Sequence, residues 1–520
     1  MKLEDKRPDR VPQRNAAASP LSARTLKAGQ WRIASMAMQG VLQFAIGILL
    51  SRLLPPEDFG LAALAMVVIG FATMTSDLGL GPAVVQRKIL TTLHLRVAFT
   101  TSLLLGLAIA ASMAVAAPWI GVLARSAALP SIIRVESLLF AFGGVGTVAR
   151  ALLQRELDFR KLFIIEIVSY VVGYALVATV GALYGWGVWS LVAGSLVQSL
   201  LSSVMALAAV RVPLRPLLAG EELRQLLGFG VGVSVNGVTS YVARNGDNFF
   251  VGRLLGTTAL GLYARAYNLM MMPLNYICSA LPNVLLPAFA EVQADPARVG
   301  RGFIMSVQLT AMTTLPIMAG MFVAAPHMIR GLYGDRWSGA ILPVQILCVV
   351  GLPRSVHSLA GAVNRACNRV YTELVLQIGF ASAVVTGTIV GSKHGVAGVA
   401  LFVAAAIVGM YVAMVRLALS ITGETWRAFG FAQLPGLLLG ACTATVATAV
   451  RMVAESAGLS HLAIFGLLVV ASGASVPLGI YLLPNALRPN HLFGYFQSPV
   501  HRLPPRLRRG VLYVMAGGAS

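Results

Sequence analysis

The chain has 520 residues, of which 57% are hydrophobic and only 11% charged, with a mean hydropathy of +0.79. That balance excludes an ordinary soluble domain and defines a polytopic membrane protein. Lys and Arg number 40 against 19 Asp and Glu, a formal charge of +21; the basic residues gather in alternate loops, so membrane topology explains the excess and a nucleic-acid partner is not expected.

In chain order, residues 1–30 form a basic tail ahead of an apolar stretch that runs into Arg52-Leu53-Leu54-Pro55-Pro56 without a small-residue cleavage site, so this stretch is read as a retained first span. Apolar runs of about 20 residues predict an all-α protein with about 14 spans, starting near 31, 60, 97, 131, 162, 187, 226, 259, 302, 338, 371, 395, 430 and 460. Spans 1 to 6 make an N-lobe over 31–210. Residues 211–225, with Glu221-Glu222-Leu223-Arg224-Gln225, read as an interfacial amphipathic linker helix. Spans 7 to 12 make a C-lobe over 226–418, spans 13 and 14 occupy 430–484, and 485–520 is a second basic tail. Lys and Arg concentrate in the two tails and in the loops on the same side, which places both termini in the cytoplasm.

An internal duplication underlies this order. Ser51-Arg52-Leu53-Leu54 with Gly60-Leu61 returns, 201 positions on, as Gly252-Arg253-Leu254-Leu255 with Gly261-Leu262. Gly187-Val188 and Gly395-Val396, 208 apart, are a weaker echo. Six spans separate the copies, so both lobes enter the membrane in the same direction and the expected pseudo-twofold axis runs along the membrane normal. Arg52 and Arg253 fall at the outer ends of their helices, where they anchor or gate.

Ionisable residues at span depth are costly and face a cavity or a partner. The densest group is Tyr241-Val242-Ala243-Arg244-Asn245-Gly246-Asp247-Asn248. Helical spacing puts Arg244 with Asp247, and Asn245 with Asn248, on one polar face. Two readings stay open: an Arg-Asp pair that neutralises itself, or an Arg244 that faces substrate with Asp247 tuning it or exchanging a proton. Arg265, between Tyr263 and Tyr267 in sequence, suits a phosphate or a stacked sugar, or snorkels to headgroups. Arg134 in span 4, two residues from Glu136, and Arg354, next to His357 and after a kink expected at Pro353, complete the cationic candidates. Glu166 and Asp77 join Asp247 as candidates for ion coupling; a turn or cap role is the alternative for Asp77. In-membrane arginines outnumber nearby acids, so the expected substrate is an anion, and a diphosphate fits the bidentate guanidinium fork.

Three stretches resemble a known family: Leu50 to Leu61, Ser76-Asp77-Leu78-Gly79-Leu80-Gly81 with Val85-Gln86-Arg87-Lys88, and Ala243-Arg244-Asn245-Gly246-Asp247-Asn248 through Gly252-Arg253-Leu254-Leu255-Gly256 to Leu260-Gly261-Leu262-Tyr263. They look like the Wzx-type polysaccharide flippases of the multidrug/oligosaccharidyl-lipid/polysaccharide exporter superfamily, over about residues 25–420. The resemblance implies translocation of undecaprenyl-diphosphate-linked oligosaccharide across the bacterial inner membrane by alternating access. It also implies a polysaccharide polymerase and a chain-length regulator as partners beside the membrane lipids.

The rivals are a cation-coupled drug or lipid exporter of the same superfamily, which calls for an acidic cavity, and a membrane polymerase or ligase, which calls for a large external loop with paired catalytic residues. No phosphate-binding loop, HExxH or GxSxG is present, and Cys278, Cys348, Cys367 and Cys442 lack metal-ligand spacing. The expectation is a transporter with no catalytic residues, cofactor or metal.

Overall fold

The computed structural model describes residues 21–76, 80–87, 90–210 and 245–482, with a few positions between 212 and 241. Helices joined by short turns make up nearly all of these stretches. Ten helical segments are long and apolar enough to cross a membrane, or up to eleven if one bent pair counts as a single span. The count of about 14 included the segment starting near 226, which lies outside the described residues. It also included a span starting near 259, which falls in the helix Thr257–Glu291; this helix is not among the ten, and its residues 276–284 lie outside the described side chains. The segment Val370–Thr422, counted once, holds two helices, Val370–Gly391 and Gly395–Thr422.

The chain divides into two compact units. The first takes Met1–Tyr267, Leu332–Pro343 and Ile378–Ala406. Its opening helix, Leu21–Leu53, stops at Pro55-Pro56 because neither proline can donate to the helix ladder. Pro56 then starts Pro56–Ser76, whose first turn carries Glu57 and Asp58 at the positive end of the dipole. The short helix Leu80–Gln86 is closed by Arg155, which donates to the carbonyls of Val84 and Val85 at 3.0 Å each. The long helix Thr92–Ala124 opens on a Thr91 cap, and Val188–Ala209 opens on Gly187.

Gly187 has φ 56°, and its counterpart Gly395, which opens Gly395–Thr422, has φ 71°. A side chain at either site would be strained, so the echo in sequence is a shared backbone device. Two spans of this unit are irregular: one breaks at Ser137 between Leu129–Glu136 and Leu138–Arg155, and another carries a π-helical stretch, Val171–Ala178. Of the expected linker helix from 211, the described positions 212–213 and 215–217 are non-helical, where Pro213 and Pro216 deny it hydrogen bonds. There Arg96 donates to the Arg215 carbonyl at 3.0 Å and Leu217 N–H to Thr100 Oγ1 at 2.9 Å. Residues 221–225 lie outside the described residues.

The second unit takes Asn268–Gly331, Val344–Gln377 and Ile407–Ser520. The chain bends by 45° between Asp335–Val349 and Gly351–Ala366. The break falls at Val350 and not at Pro353, because a proline in the first turn of a helix has no hydrogen bond to lose. Trp426–Ser456 and His461–Leu482 pack on each other as a hairpin around Gly458, with a core of Val323, Ala324, Ala447, Ala454, Ile464 and Leu468.

Candidate functional site

The end of the first helix and the turn after it build the most developed polar site of the first unit. Ser51 Oγ donates to the Gly47 carbonyl at 2.6 Å and accepts from the Arg265 guanidinium. Trp337, fully buried, donates its Nε1 to the Ser51 carbonyl at 2.8 Å. Arg265 lies two turns into Thr257–Glu291 and is half-buried. Its guanidinium carbon stands 4.6 Å from the Phe59 ring centroid, 4.9 Å from that of Tyr333 and 5.3 Å from that of Trp337. Phe59 and Trp337 meet edge to face at 5.3 Å.

Among the described residues no carboxylate pairs with Arg265. Three ring quadrupoles hold the cation instead, each such contact being worth about 2 kcal/mol when desolvated. A π-held guanidinium keeps its charge and spare N–H donors for an anion.

Tyr263 and Tyr267, the aromatics next to Arg265 in sequence, are not its cage. Tyr263 is fully buried and donates to Asp247 Oδ2 at 2.8 Å, and the two tyrosine rings pack on each other at 6.2 Å. A spacing of two turns side chains to different faces of a helix. Asp247, 4% exposed, also accepts from Asn248 N–H at 2.9 Å. Asn245 bonds back to the Tyr241 carbonyl at 3.1 Å, and the buried Asn248 Oδ1 has no partner among the described residues. Arg244 and Asp77 lie outside the described residues.

The remaining candidates fall at separate places. Arg134 is exposed in the last turn of Leu129–Glu136, while Glu136 beside it is 3% exposed. Glu166 accepts from Ser35 Oγ at 2.7 Å, which ties the first helix to Phe159–Tyr170. Arg354 and His357 are half-buried in the second unit. Arg52 donates to the Leu332 carbonyl at 2.8 Å, and Arg253 donates to the Leu123 carbonyl.

Two features escaped sequence reasoning. Phe59, Tyr333 and Trp337 were overlooked because they come from two segments far apart in the chain. In the second unit, His327 Nε2 bonds Glu455 Oε1 at 2.8 Å and His327 Nδ1 meets His461 Nδ1 at 3.0 Å, pinning three helix ends together. The signal for that cluster was present, a His five residues before one helix end and another opening the last span.

A scaffold of long apolar helices around a half-buried arginine, with no carboxylate beside it among the described residues, defines the class as a multi-pass membrane protein. The chain belongs to the polysaccharide biosynthesis protein family, whose model matches residues 49–342, and is a Wzx-type polysaccharide transporter. It is 26% identical over 421 residues to the lipopolysaccharide biosynthesis protein WzxC of Escherichia coli K12, covering 79% of this chain and 84% of that one. It is 28% identical over 312 residues to the succinoglycan biosynthesis transport protein ExoT of Rhizobium meliloti, covering 60% of this chain and 63% of the relative. Among solved structures, the lipid II flippase MurJ in an inward closed conformation shares the fold, with a TM-score of 0.67 at 11% identity over 86% of this chain and 97% of MurJ.

Proposed function

We propose that this protein flips undecaprenyl-diphosphate-linked oligosaccharide across the bacterial inner membrane by alternating access, with both termini in the cytoplasm and a polysaccharide polymerase acting on the delivered units. The observation that carries the reading is Arg265: a half-buried guanidinium held by Phe59, Tyr333 and Trp337 with no carboxylate beside it among the described residues. A cation left unneutralised in a low-dielectric setting recruits an anion, and a diphosphate offers oxygens spaced for two parallel N–H donors. The drug-exporter alternative wants the opposite charge at such a site.

Support from relatives is of the same kind, since the named functions of WzxC and ExoT are lipopolysaccharide biosynthesis and succinoglycan transport. The test is reconstitution into liposomes with a fluorescent undecaprenyl-diphosphate oligosaccharide. Transfer of label between leaflets that disappears in Arg265→Ala and partly returns in Arg265→Lys is expected. Equal transfer by Arg265→Ala removes the residue, and the reading built on it, from the mechanism.

A further inference from the structure

The duplicated phrases meet each other. A Cβ placed on Gly60 would overlap the Thr257 carbonyl and lie 2.8 Å from the Gly261 nitrogen; one placed on Gly261 would overlap the Pro56 carbonyl and lie 3.1 Å from the Gly60 nitrogen. Thr257 and Gly261 are the 201-position counterparts of Pro56 and Gly60, so the contact is reciprocal, as at an isologous interface. Only glycine lets the two helices approach to backbone contact there.

The arginines of the same phrases are reciprocal too. Arg52 of the first copy donates to Leu332, the last residue of Pro296–Leu332, and Arg253 of the second copy donates to Leu123 at the end of Thr92–Ala124. Leu123 and Leu332 lie 209 apart, close to the 208 that separates Gly187 from Gly395. Each arginine therefore reaches a helix end contributed by the opposite half of the chain. The last carbonyls of a helix lack ladder partners and carry the negative end of its dipole. At the first of these ends the loop satisfies Gly121 and Val122 through Ser126 and Arg125 N–H, and Arg253 takes the next carbonyl.

We infer that the two Arg-Leu-Leu/Gly-Leu phrases are the two halves of one external gate, closed in this structure by two arginine-to-helix-end clasps around a glycine crossing. The inference rests on the alternating-access reading and its orientation. Opening has to part Gly60 from Gly261 and release both clasps together, because each half contributes one arginine and one acceptor. A single clasp would hinge; two placed about a twofold axis hold the halves shut against rotation in either sense.

The test is labelling from outside intact cells with a membrane-impermeant maleimide at Leu64→Cys, one turn behind Gly60 and fully buried in the closed crossing. Labelling above that of protein lacking the substitution is expected to be slight. Adding Arg52→Gln or Arg253→Gln is expected to raise it by about tenfold each, since each removes the charge-assisted bond to a helix-end carbonyl that forms its clasp in the closed state. Gly60→Ala or Gly261→Ala raises it at least as far by wedging the crossing open; should these fail to insert, the arginine pair alone decides. Unchanged labelling, or labelling that rises only from the cytoplasmic side of inverted vesicles, overturns the gate. The readout needs no lipid-linked sugar. Raised labelling with no flipping defeats the substrate reading and leaves the gate, and intact flipping with unchanged labelling defeats the gate alone.

Discussion

The duplication places two equivalent crossings in the first unit, and they differ in chemistry. At one, Ser51 meets Arg265; at the other, 201 positions displaced in each partner, Gly252 meets Leu64, whose Cδ1 lies 3.0 Å from where a Gly252 Cβ would sit. Phe59 in the first corresponds to Leu260 in the second, and at the 209-position offset that relates Leu123 to Leu332, Tyr333 and Trp337 correspond to Ala124 and Ala128. The backbone path was kept in both copies. The guanidinium, its hydroxyl partner and its three rings occur on one side only; under the proposed function, symmetry would serve the moving scaffold and asymmetry would serve recognition. A symmetric pair of caged arginines would hold a diphosphate from both halves and resist the separation that transport needs.

Substitutions that erase or copy this difference test it. Arg265→Ala should have the largest effect, a loss of transport of about 100-fold or more with the protein still inserted, if Arg265 makes the two proposed charge-assisted bonds to the substrate; leaflet-transfer rates on purified, monodisperse protein measure it. Trp337→Ala follows, costing about 3–5 kcal/mol for emptying a fully buried indole site and freeing Arg265 from its cage; thermal unfolding in detergent reads the stability loss, and transport should fall with it. Leu64→Arg places the cation at the second crossing, beside Gly252 and Leu260, neither of which has a ring or an acceptor side chain. An unpartnered charge there costs about 3 kcal/mol, so poor insertion or a depressed melting temperature is expected, whereas normal behaviour would mean that the cage is dispensable. Ser51→Ala removes one acceptor and costs about 1 kcal/mol. Arg134→Gln, at an exposed position, should change stability by less than about 0.5 kcal/mol and leave transport within about twofold.

The helical membrane scaffold and the repeat were legible in the sequence because apolar run length and a fixed offset are local signals. Arg265 was legible as well, since a charge in an apolar neighbourhood announces a cost that something must meet. What meets it was not: Phe59 and Trp337 belong to segments almost 280 residues apart, and neighbours along the chain pointed instead to Tyr263 and Tyr267, which serve Asp247 and each other. Likewise Arg52 and Arg253 were recognisable as helix-end residues, but their acceptors are backbone carbonyls of Leu332 and Leu123, which leave no trace in residue type. The bend at Val350 was displaced by three residues from Pro353 for a related reason: proline marks where a hydrogen bond is missing, and that is compatible with either the middle of a kinked helix or the first turn of a new one.

The central claim is that Arg265, which has no carboxylate beside it among the described residues, binds a lipid diphosphate. Its most direct test is equilibrium binding of undecaprenyl diphosphate to the protein in nanodiscs, comparing the parental chain with Arg265→Ala. The account predicts a Kd about 100-fold weaker in the variant, with Arg265→Lys between the two. Equal affinity in the parental and alanine proteins would contradict it.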